Sequence, residues 1–281
     1  MVAVVTGHFG EMLQGRLGPA GPLALVTLPV RELWVAAELR RGPFRLHFPD
    51  GRRIVSPAQV TALHRRLGWP PPRGVLALRA AMPAGGGAGS STAGLLAVAA
   101  ACGRARGREP GGPEQLARLC LAIERATDPI MFPAPDRLLW DPRGARVLGQ
   151  LPPLPALEVV GGFLGPGQRT DPGDLDFADV ADLVGAWVPA AARGDLPALA
   201  ALATESACRN TARRGGPPLA PLVALARRCG ALGVVAAHTG SARGLIFAPG
   251  AGDRGEAKSA LHALGATGVG LFRLGRTASG R

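Results

Sequence analysis

The chain has 281 residues, of which 47% are hydrophobic and 19% charged, and it carries a formal net charge of +12. This composition is typical of a globular protein and excludes an intrinsically disordered chain. The charge suggests a nucleic-acid partner, but the arginines are scattered and the chain has no Tyr and only 8 Phe to stack on bases. An anionic small molecule explains the charge equally well, so nucleic acid is the less favoured partner.

The first third of the chain predicts mainly β-strands, in the segments "MVAVVT", "PLALVTLP", "ELWVAAELR" and "FRLHF". The segment "PAQVTALHRRLG" then predicts a helix, with Ser56 as its cap and Pro57 in the first helical position. A further strand, "VLALRAAMP", leads directly into a stretch rich in glycine.

The remainder alternates between helices and strands. Apolar spacing predicts helices over residues 91–106, 113–127, 178–192, 195–209, 218–230 and 254–264. A loop, "TDPIMFPAPDRLLWDPRG", follows the second of these, and strands are predicted at "LEVVGGFLG", "GVVAAHTG", "RGLIFAPG" and "GVGLFRLG". Because the elements interleave without regular βαβ units, we expect an α+β fold of two intimately packed halves, residues 1–150 and 151–281.

The cysteines and the N-terminus indicate the compartment. Cys102, Cys120, Cys208 and Cys229 lie far apart in segments predicted to be helical, so we expect reduced core thiols. The N-terminus lacks the features of a signal peptide, and the longest apolar run, residues 95–102, is too short to span a bilayer. We therefore expect a cytoplasmic protein without a membrane partner.

The glycine-rich stretch "PAGGGAGSSTAG" lies between a predicted strand and a predicted helix. Glycines let the backbone approach an anion, and the first N–H groups of a helix point at it. Serine and threonine hydroxyls add hydrogen bonds or ligate Mg²⁺. The predicted phosphate-binding residues are Pro83, Gly85, Gly86, Gly87, Ala88, Gly89, Ser90, Ser91 and Thr92. The alternative is a flexible turn in which Ser90 or Ser91 only caps the helix.

Two better-known phosphate loops do not fit this stretch. A Walker A loop is excluded because the sequence has no GxxxxGK[ST] motif. The dinucleotide fingerprint is incomplete, because position 90 is serine and the βαβ context is missing.

The stretch resembles the phosphate loop of the GHMP kinases, which are named for galactokinase and for homoserine, mevalonate and phosphomevalonate kinases. "GHFGEMLQG" and "AHTGSARGLIF" resemble the first and third motifs of that superfamily, in the required order. Within the superfamily, "LVTLPV", "IERATDPIMF" and "CGALGVVAAHTGS" resemble the L-threonine kinases of cobalamin biosynthesis. The resemblance spans roughly residues 5 to 250. Gly86 and Gly94 depart from it, since a lysine and an acidic residue are frequent there.

The resemblance implies a GHMP kinase fold, with ATP bound at the glycine loop and the helix N-terminus. It further implies that Ser91 and Glu124 ligate Mg²⁺ and that Asp128 is the catalytic base. Asp136 and Asp141 are less favoured bases. The alternatives are that Glu124 is a solvated carboxylate and that Asp128 only forms an Asx turn before a proline.

Several further residues are candidates for binding the substrate. They are Glu11, Gln14 and Thr27 near the N-terminus, and His238, Thr239, Gly240 and Ser241 in the third motif. Arg209 and Asn210 are additional candidates for a substrate carboxylate, which requires arginine or backbone donors.

The implied reaction is ATP-dependent phosphorylation of L-threonine to O-phospho-L-threonine. Phosphorylation of another small alcohol such as homoserine, and nucleotide binding without catalysis, stay open as alternatives. The sequence does not define the oligomeric state.

Overall fold

The computed structural model describes residues 2–168, 171, 173–214, 218–237 and 240–275. The strands in this part of the chain are β1 (Val2–Arg16), β2 (Leu23–Arg40), β3 (Arg45–His47), β4 (Val75–Ala80), β5 (Leu138–Asp141), β6 (Arg146–Gln150), β7 (Leu157–Phe163), β8 (Gly233–Ala236), β9 (Ala242–Phe247) and β10 (Thr267–Leu274). The α-helices are α1 (Pro57–Arg66), α2 (Ser90–Arg104), α3 (Pro113–Glu124), α4 (Ala181–Ala192), α5 (Leu196–Arg214), α6 (Ala220–Arg228) and α7 (Arg254–Ala263).

The strands form one continuous mixed sheet that runs through both halves of the chain. Its order is β10-β7-β9-β8-β1-β2-β4-β3, and the β5–β6 hairpin attaches to β2. Strand β1 pairs with β2 along most of its length and meets β8 where Glu11 lies opposite Ala236. Strand β1 therefore lies at the centre of the molecule, and its middle residues are buried.

Helix α2 lies against β1 and β2 and is deeply buried. Alanine, glycine and leucine make up nine of its 15 residues, and 12 of the 15 are buried. Small side chains let the helix lie close to the sheet. Helix α1 packs beside it and begins as predicted, with a Ser56–Gln59 capping box and Pro57 at its start.

Two predictions about the strands were wrong. "PLALVTLP" and "ELWVAAELR" belong to one strand, β2, because irregularities in its pairing with β1 let the strand continue past Pro29. The predicted Pro/Asp-rich loop contains β5 and the turn that leads into β6, and this hairpin is stabilised by the burial of Trp140 opposite Leu25. Burial in the tertiary structure outweighs the local turn signals here.

The cysteines agree with the prediction. Cys102, Cys120 and Cys229 are buried, Cys208 is half-buried, and all four are free thiols. In the described part of the chain, no helix combines the length and hydropathy needed to cross a membrane.

Candidate active site

A cavity of about 270 Å³ opens between β1, the glycine loop, the start of α2 and the end of α3. Polar side chains on its wall include His8, Glu11, Gln14, Gln59, Ser90, Ser91, Thr92, Glu124, Asp128 and Arg143. Backbone of the loop itself, residues 84–85 and 87–89, forms another part of the wall. The cavity therefore joins the predicted phosphate loop to carboxylates that are far apart in sequence.

The glycine loop is fixed by backbone hydrogen bonds to three other segments. The Gly87 carbonyl accepts from Gly10 N–H at 3.2 Å, the Gly86 carbonyl from Ala242 N–H at 2.9 Å, and the Gly85 carbonyl from Gln168 N–H at 2.9 Å. These three hydrogen bonds connect the loop to β1, β9 and the segment after β7, and they favour a fixed cradle over a flexible turn.

The start of α2 is open to a ligand. Its N-cap is Gly89, at a φ of +69°, and no side chain caps the helix, so the capping role considered for Ser90 or Ser91 is wrong. The N–H groups of the first helical turn have no partners within their own helix and suit a phosphate. The prediction that this segment holds a phosphate is therefore compatible with its geometry.

The two positions that depart from the family pattern are tightly surrounded. A Cβ built at Gly86 would lie 2.7 Å from Pro83 Cγ and 2.9 Å from the Phe163 ring. A Cβ at Gly94 would lie 2.6 Å from a side-chain carbon of Ile54. A side chain added at either position would have to displace these neighbouring side chains. Pro83 and Gly86 belong to the loop but do not line the cavity.

Ser91 and Glu124 bring a hydroxyl and a carboxylate together beside the helix start. The Ser91 hydroxyl donates to Glu124 Oε1, and Gln59 Nε2 donates to the same oxygen at 3.0 Å. Thr92 Oγ1 lies 3.5 Å from Glu124 Oε2. Mg²⁺ prefers such oxygen ligands and takes only one or two carboxylates from the protein. The pair therefore fits the predicted ion. Glu124 is not simply a solvated carboxylate, because it accepts hydrogen bonds from Ser91 and Gln59.

Asp128 faces the same cavity from the segment after α3. Its Oδ2 atom lies 3.5 Å from Thr92 Oγ1 and 3.5 Å from His8 Nε2. The two less favoured bases lie elsewhere and do not line the cavity. Asp141 is buried, accepts from the backbone N–H of Gly144 at 2.8 Å and pairs with Arg146, while Asp136 lies in a short 3₁₀ helix. Of the three candidate bases, Asp128 is the one that lines the cavity.

His8 was missed by the sequence analysis. Its side chain is 2% exposed, and Nδ1 lies 3.2 Å from the Gly10 carbonyl oxygen and 3.7 Å from Glu11 Oε1. Burial opposes a charge on the ring, but Asp128, Glu11 and the Gly10 carbonyl outweigh burial and raise the pKa of His8 from 6.5 to about 9. No sequence signal connects His8 to Asp128, because 120 positions separate them.

Of the predicted substrate residues near the N-terminus, Glu11 and Gln14 line the cavity. Thr27 is opposite Glu11 in the β1–β2 pair but is fully buried, and it does not line the cavity. A smaller pocket beside the cavity is also lined by Glu11 and Gln14, together with Asn210. Asn210 donates to the Gln14 carbonyl.

Gly240 and Ser241, which belong to the predicted third motif, do not line the cavity. Gly240 packs against the Gly87 backbone, and the carbonyl of the buried Ser241 accepts from Leu164 N–H at 2.8 Å, so both support neighbouring loops. Arg209 was a wrong choice, because it is engaged with Asp182 and Glu205 on the surface. His238 and Thr239 lie outside the described residues.

Comparison with known protein families and solved structures agrees with the resemblance found in the sequence. The profile "GHMP kinases N terminal domain" matches residues 55–132, and "GHMP kinases C terminal" matches residues 187–270. A similar solved structure is a 4-(cytidine 5'-diphospho)-2C-methyl-D-erythritol kinase, with a TM-score of 0.63, 23% identity, and coverage of 99% of this chain and 100% of that chain.

Two further kinases have the same fold. The mevalonate kinase of Methanococcus jannaschii has a TM-score of 0.61 and 12% identity, and covers 97% of both chains. The homoserine kinase of Cytophaga hutchinsonii has a TM-score of 0.58 and 16% identity, and covers 98% of this chain and 94% of that chain. Among curated protein sequences, none matches the chain significantly.

The mixed sheet, the buried α2 and the glycine cradle at its start define the GHMP kinase fold. The chain belongs to the GHMP kinase superfamily, whose members are ATP-dependent kinases that phosphorylate hydroxyl groups of small molecules, generally with Mg²⁺. The fold class and the enzyme class predicted from the sequence are confirmed.

Proposed function

We propose that the chain transfers the γ-phosphoryl group of ATP to the side-chain hydroxyl of L-threonine, giving O-phospho-L-threonine for the aminopropanol arm of cobalamin synthesis. One observation carries the kinase reaction. The Thr92 hydroxyl lies 3.5 Å from both Glu124 Oε2 and Asp128 Oδ2, so the metal-binding pair and the base face one cavity.

Each group on the cavity wall has a role in the transfer. The uncapped N–H groups of α2 and the glycine cradle bind the ATP phosphates and orient the γ-phosphate. Ser91 and Glu124 would hold Mg²⁺, which when bound neutralises phosphate charge. Asp128 accepts the hydroxyl proton as the bond from the alcohol oxygen to phosphorus forms and the bond to the ADP oxygen breaks.

The proposal of an amino-acid substrate is supported by Glu11. Its carboxylate is buried at the end of the cavity next to the His8 ring, and it suits the ammonium group of a zwitterion. The choice of threonine is supported by the sequence resemblance described above. The similar fold of a homoserine kinase makes homoserine the second candidate for testing.

ADP release measured with a panel of amino acids tests the proposal. L-Threonine should stimulate release well above L-serine, because a methyl group in a fitted pocket contributes about 1–3 kcal/mol of discrimination. L-Alanine, which has no hydroxyl, should give none, and mass spectrometry should identify O-phosphothreonine as the product.

Other outcomes would overturn parts of the proposal. Activity on L-homoserine but not L-threonine would replace the substrate and keep the reaction. ATP binding by calorimetry without ADP release on any alcohol would favour a non-catalytic nucleotide-binding protein. Retention on heparin that ATP does not reduce would support a nucleic-acid partner.

A further inference from the structure

The smaller pocket beside the cavity lies between β1, α5 and β9 and encloses about 40 Å³. It shares Glu11 and Gln14 with the main cavity, so the two spaces adjoin at the middle of β1. A single water molecule needs roughly 10–15 Å³ of such space, so the pocket suits a polar group of a few atoms. Its polar lining consists of Glu11, Gln14, Ser206, Asn210, Thr211, Arg214 and Arg243.

Arg243 is a half-buried cation on the β9 side of this pocket. Its Nη1 atom donates to the carbonyls of Ala237, Gly240 and Ala242 at 3.1, 3.1 and 2.8 Å. Among the residues that the structure describes, none forms an ion pair with Arg243 or accepts a hydrogen bond from its Nε or Nη2 atom. The guanidinium is therefore anchored by one nitrogen and keeps a two-pronged donor edge, the geometry that binds a carboxylate.

The other polar side chains on the α5 side of the pocket are engaged within the protein. Arg214 pairs with Asp174. Asn210 donates to the Gln14 carbonyl, and the Ser206 hydroxyl accepts from the Gln14 N–H at 3.0 Å. These contacts fix α5 against β1, so Arg243 is the cation that remains for an anion entering the pocket.

The same pocket offers acceptors for an ammonium group. The Glu11 carboxylate lines it, and Gln14 Oε1 is buried and accepts no hydrogen bond from the described residues. The Glu11 charge also reaches Arg243, where burial lowers the pKa of the guanidinium and Glu11 opposes that effect. An ammonium group carries three donors, whereas a carboxylate carries only acceptors. Residues of β1 therefore suit the ammonium group, and Arg243 suits the carboxylate, of one α-amino acid.

The position of Asp128 limits where the substrate hydroxyl can lie. One carboxylate oxygen of Glu11 and one of Asp128 lie within 4.8 Å of each other. An ammonium group on Glu11 and a hydroxyl on Asp128 must then be close together within the substrate. They are close in a 2-amino-3-hydroxy acid, because one carbon–carbon bond joins the carbons that bear the two groups. L-Homoserine carries its hydroxyl one methylene farther away.

We propose that the smaller pocket is the subsite for the charged end of an α-amino acid, in which Arg243 binds the carboxylate and Glu11 and Gln14 bind the ammonium group. The inference rests on the proposed function, and it assigns to Arg243 the selection of amino acids over alcohols that lack a carboxylate. Arg243 acts on substrate affinity and not on the reacting atoms.

Two analogues of L-threonine, each lacking one charged group, test the subsite in the wild-type enzyme. (R)-1-Amino-2-propanol lacks the carboxylate, and (R)-3-hydroxybutyrate lacks the ammonium group. Each should have a kcat/KM about 100-fold or more below that of L-threonine, because each leaves a charged group of the subsite without its partner. Use of (R)-1-amino-2-propanol as efficiently as L-threonine would overturn the proposal.

Variants of Arg243 identify the group that the arginine contacts. Arg243→Gln should lower the kcat/KM for L-threonine about 30-fold or more, mainly through KM, and change that for (R)-1-amino-2-propanol less than about threefold. Arg243→Lys keeps the charge without the fork and should give an intermediate loss. Arg79→Gln, on the exposed side of β4, is the control and should match wild type with both compounds. Equal losses with both compounds would overturn the proposal and leave Arg243 as a support for the backbone of residues 237–242.

Calorimetry with L-threonine separates this inference from the proposed function. Arg243→Gln should bind L-threonine about tenfold more weakly or worse, with its ATP affinity within about threefold of wild type. L-Threonine binding that depends on Arg243 but leads to no ADP release would support the subsite and overturn the kinase reaction. Phosphorylation of L-threonine with unchanged affinity in folded Arg243→Gln would overturn the subsite and keep the reaction. If the wild-type protein neither binds nor phosphorylates any α-amino acid, both proposals fail.

Discussion

Gln59 donates a 3.0 Å hydrogen bond to the same Glu124 oxygen that accepts from Ser91. Gln59 also completes the capping box of α1 by accepting from Ser56 N–H at 2.8 Å. One amide side chain therefore connects the start of α1 to the carboxylate at the end of α3. The proposed metal-binding carboxylate is oriented by a helix that does not itself contribute a ligand.

Glu124→Gln should raise the Mg²⁺ concentration needed for half-maximal activity by at least tenfold, while metal-free nucleotide binding changes little. The substitution removes negative charge at the cation and preserves the shape of the side chain. An activity titration against Mg²⁺ measures the effect. Glu114→Gln, at the exposed first turn of α3, is the matched control. Identical Mg²⁺ curves for Glu124→Gln and wild type would remove Glu124 from the metal site.

Gly87→Ala should abolish measurable ATP binding. Gly87 has a φ of +74°, and an added Cβ would collide with Ala237, so the cradle must deform. Calorimetry with ATP measures the affinity. Gly107→Ala is the control, because Gly107 also has a positive φ of +62° but open space around it, and it should lose some stability without losing ATP affinity. Normal ATP affinity in folded Gly87→Ala would place the phosphates elsewhere.

Asp128→Asn should lower turnover about 10²- to 10⁴-fold with ATP affinity nearly intact, since it preserves shape and removes the proton acceptor. Single-turnover phosphate transfer is the measurement. Asp136→Asn should retain wild-type turnover because Asp136 lies outside the cavity. A near-normal rate in Asp128→Asn would mean that positioning of the substrate alone supports the reaction.

Glu11→Gln should raise the KM for the amino-acid substrate at least tenfold and leave the KM for ATP nearly unchanged. The variant loses the charge proposed to pair with the substrate ammonium group. Initial rates at varied amino acid, with ATP saturating, measure the change, and Glu32→Gln on the exposed part of β2 is the control. An unchanged KM for the amino acid would show that Glu11 does not bind the substrate ammonium group and only contacts His8.

The stability of the protein should fall as the pH rises from 6.5 to 9. The folded-state pKa of His8 is raised to about 9, so the stabilisation from its charge is complete below the unfolded pKa of 6.5 and is lost as the pH rises through the folded value. The loss is at most about 3.5 kcal/mol, since each pH unit of difference is worth about 1.4 kcal/mol. Urea unfolding at several pH values measures it.

His8→Gln should flatten this part of the pH–stability curve, whereas His262→Gln, on the exposed side of α7, should not. A curve that stays equally steep in His8→Gln would assign the pH dependence to other groups.

The sequence predicted the parts of the site that are local in the chain. The glycine loop, the start of α2 and the Ser56 cap all depend on short-range chemistry, and they occur where expected. The role of His8 could not be predicted, because it arises from contact with Asp128 across the folded molecule. Conversely, Arg209 had a suitable charge for a substrate carboxylate, but nothing local showed that Asp182 and Glu205 already engage it.

The strands show the same limit. The continuity of β2 and the β5–β6 hairpin depend on pairing with distant partners, and local turn residues predicted breaks instead. The tight surroundings of Gly86 also arise from tertiary packing, since Phe163 is distant in the sequence. The division into halves at residue 150 stays a prediction.

The central position of β1 affects how a cell makes this protein. Strand β1 and the glycine loop leave the ribosome early. The hydrogen bond from Ala242 N–H to the Gly86 carbonyl and the pairing of Glu11 with Ala236 form only after the later residues have been synthesised. About 150 residues separate Gly86 from Ala242, which is roughly 8–30 s of translation. During that interval the nascent chain exposes an open strand edge, a form prone to intermolecular pairing.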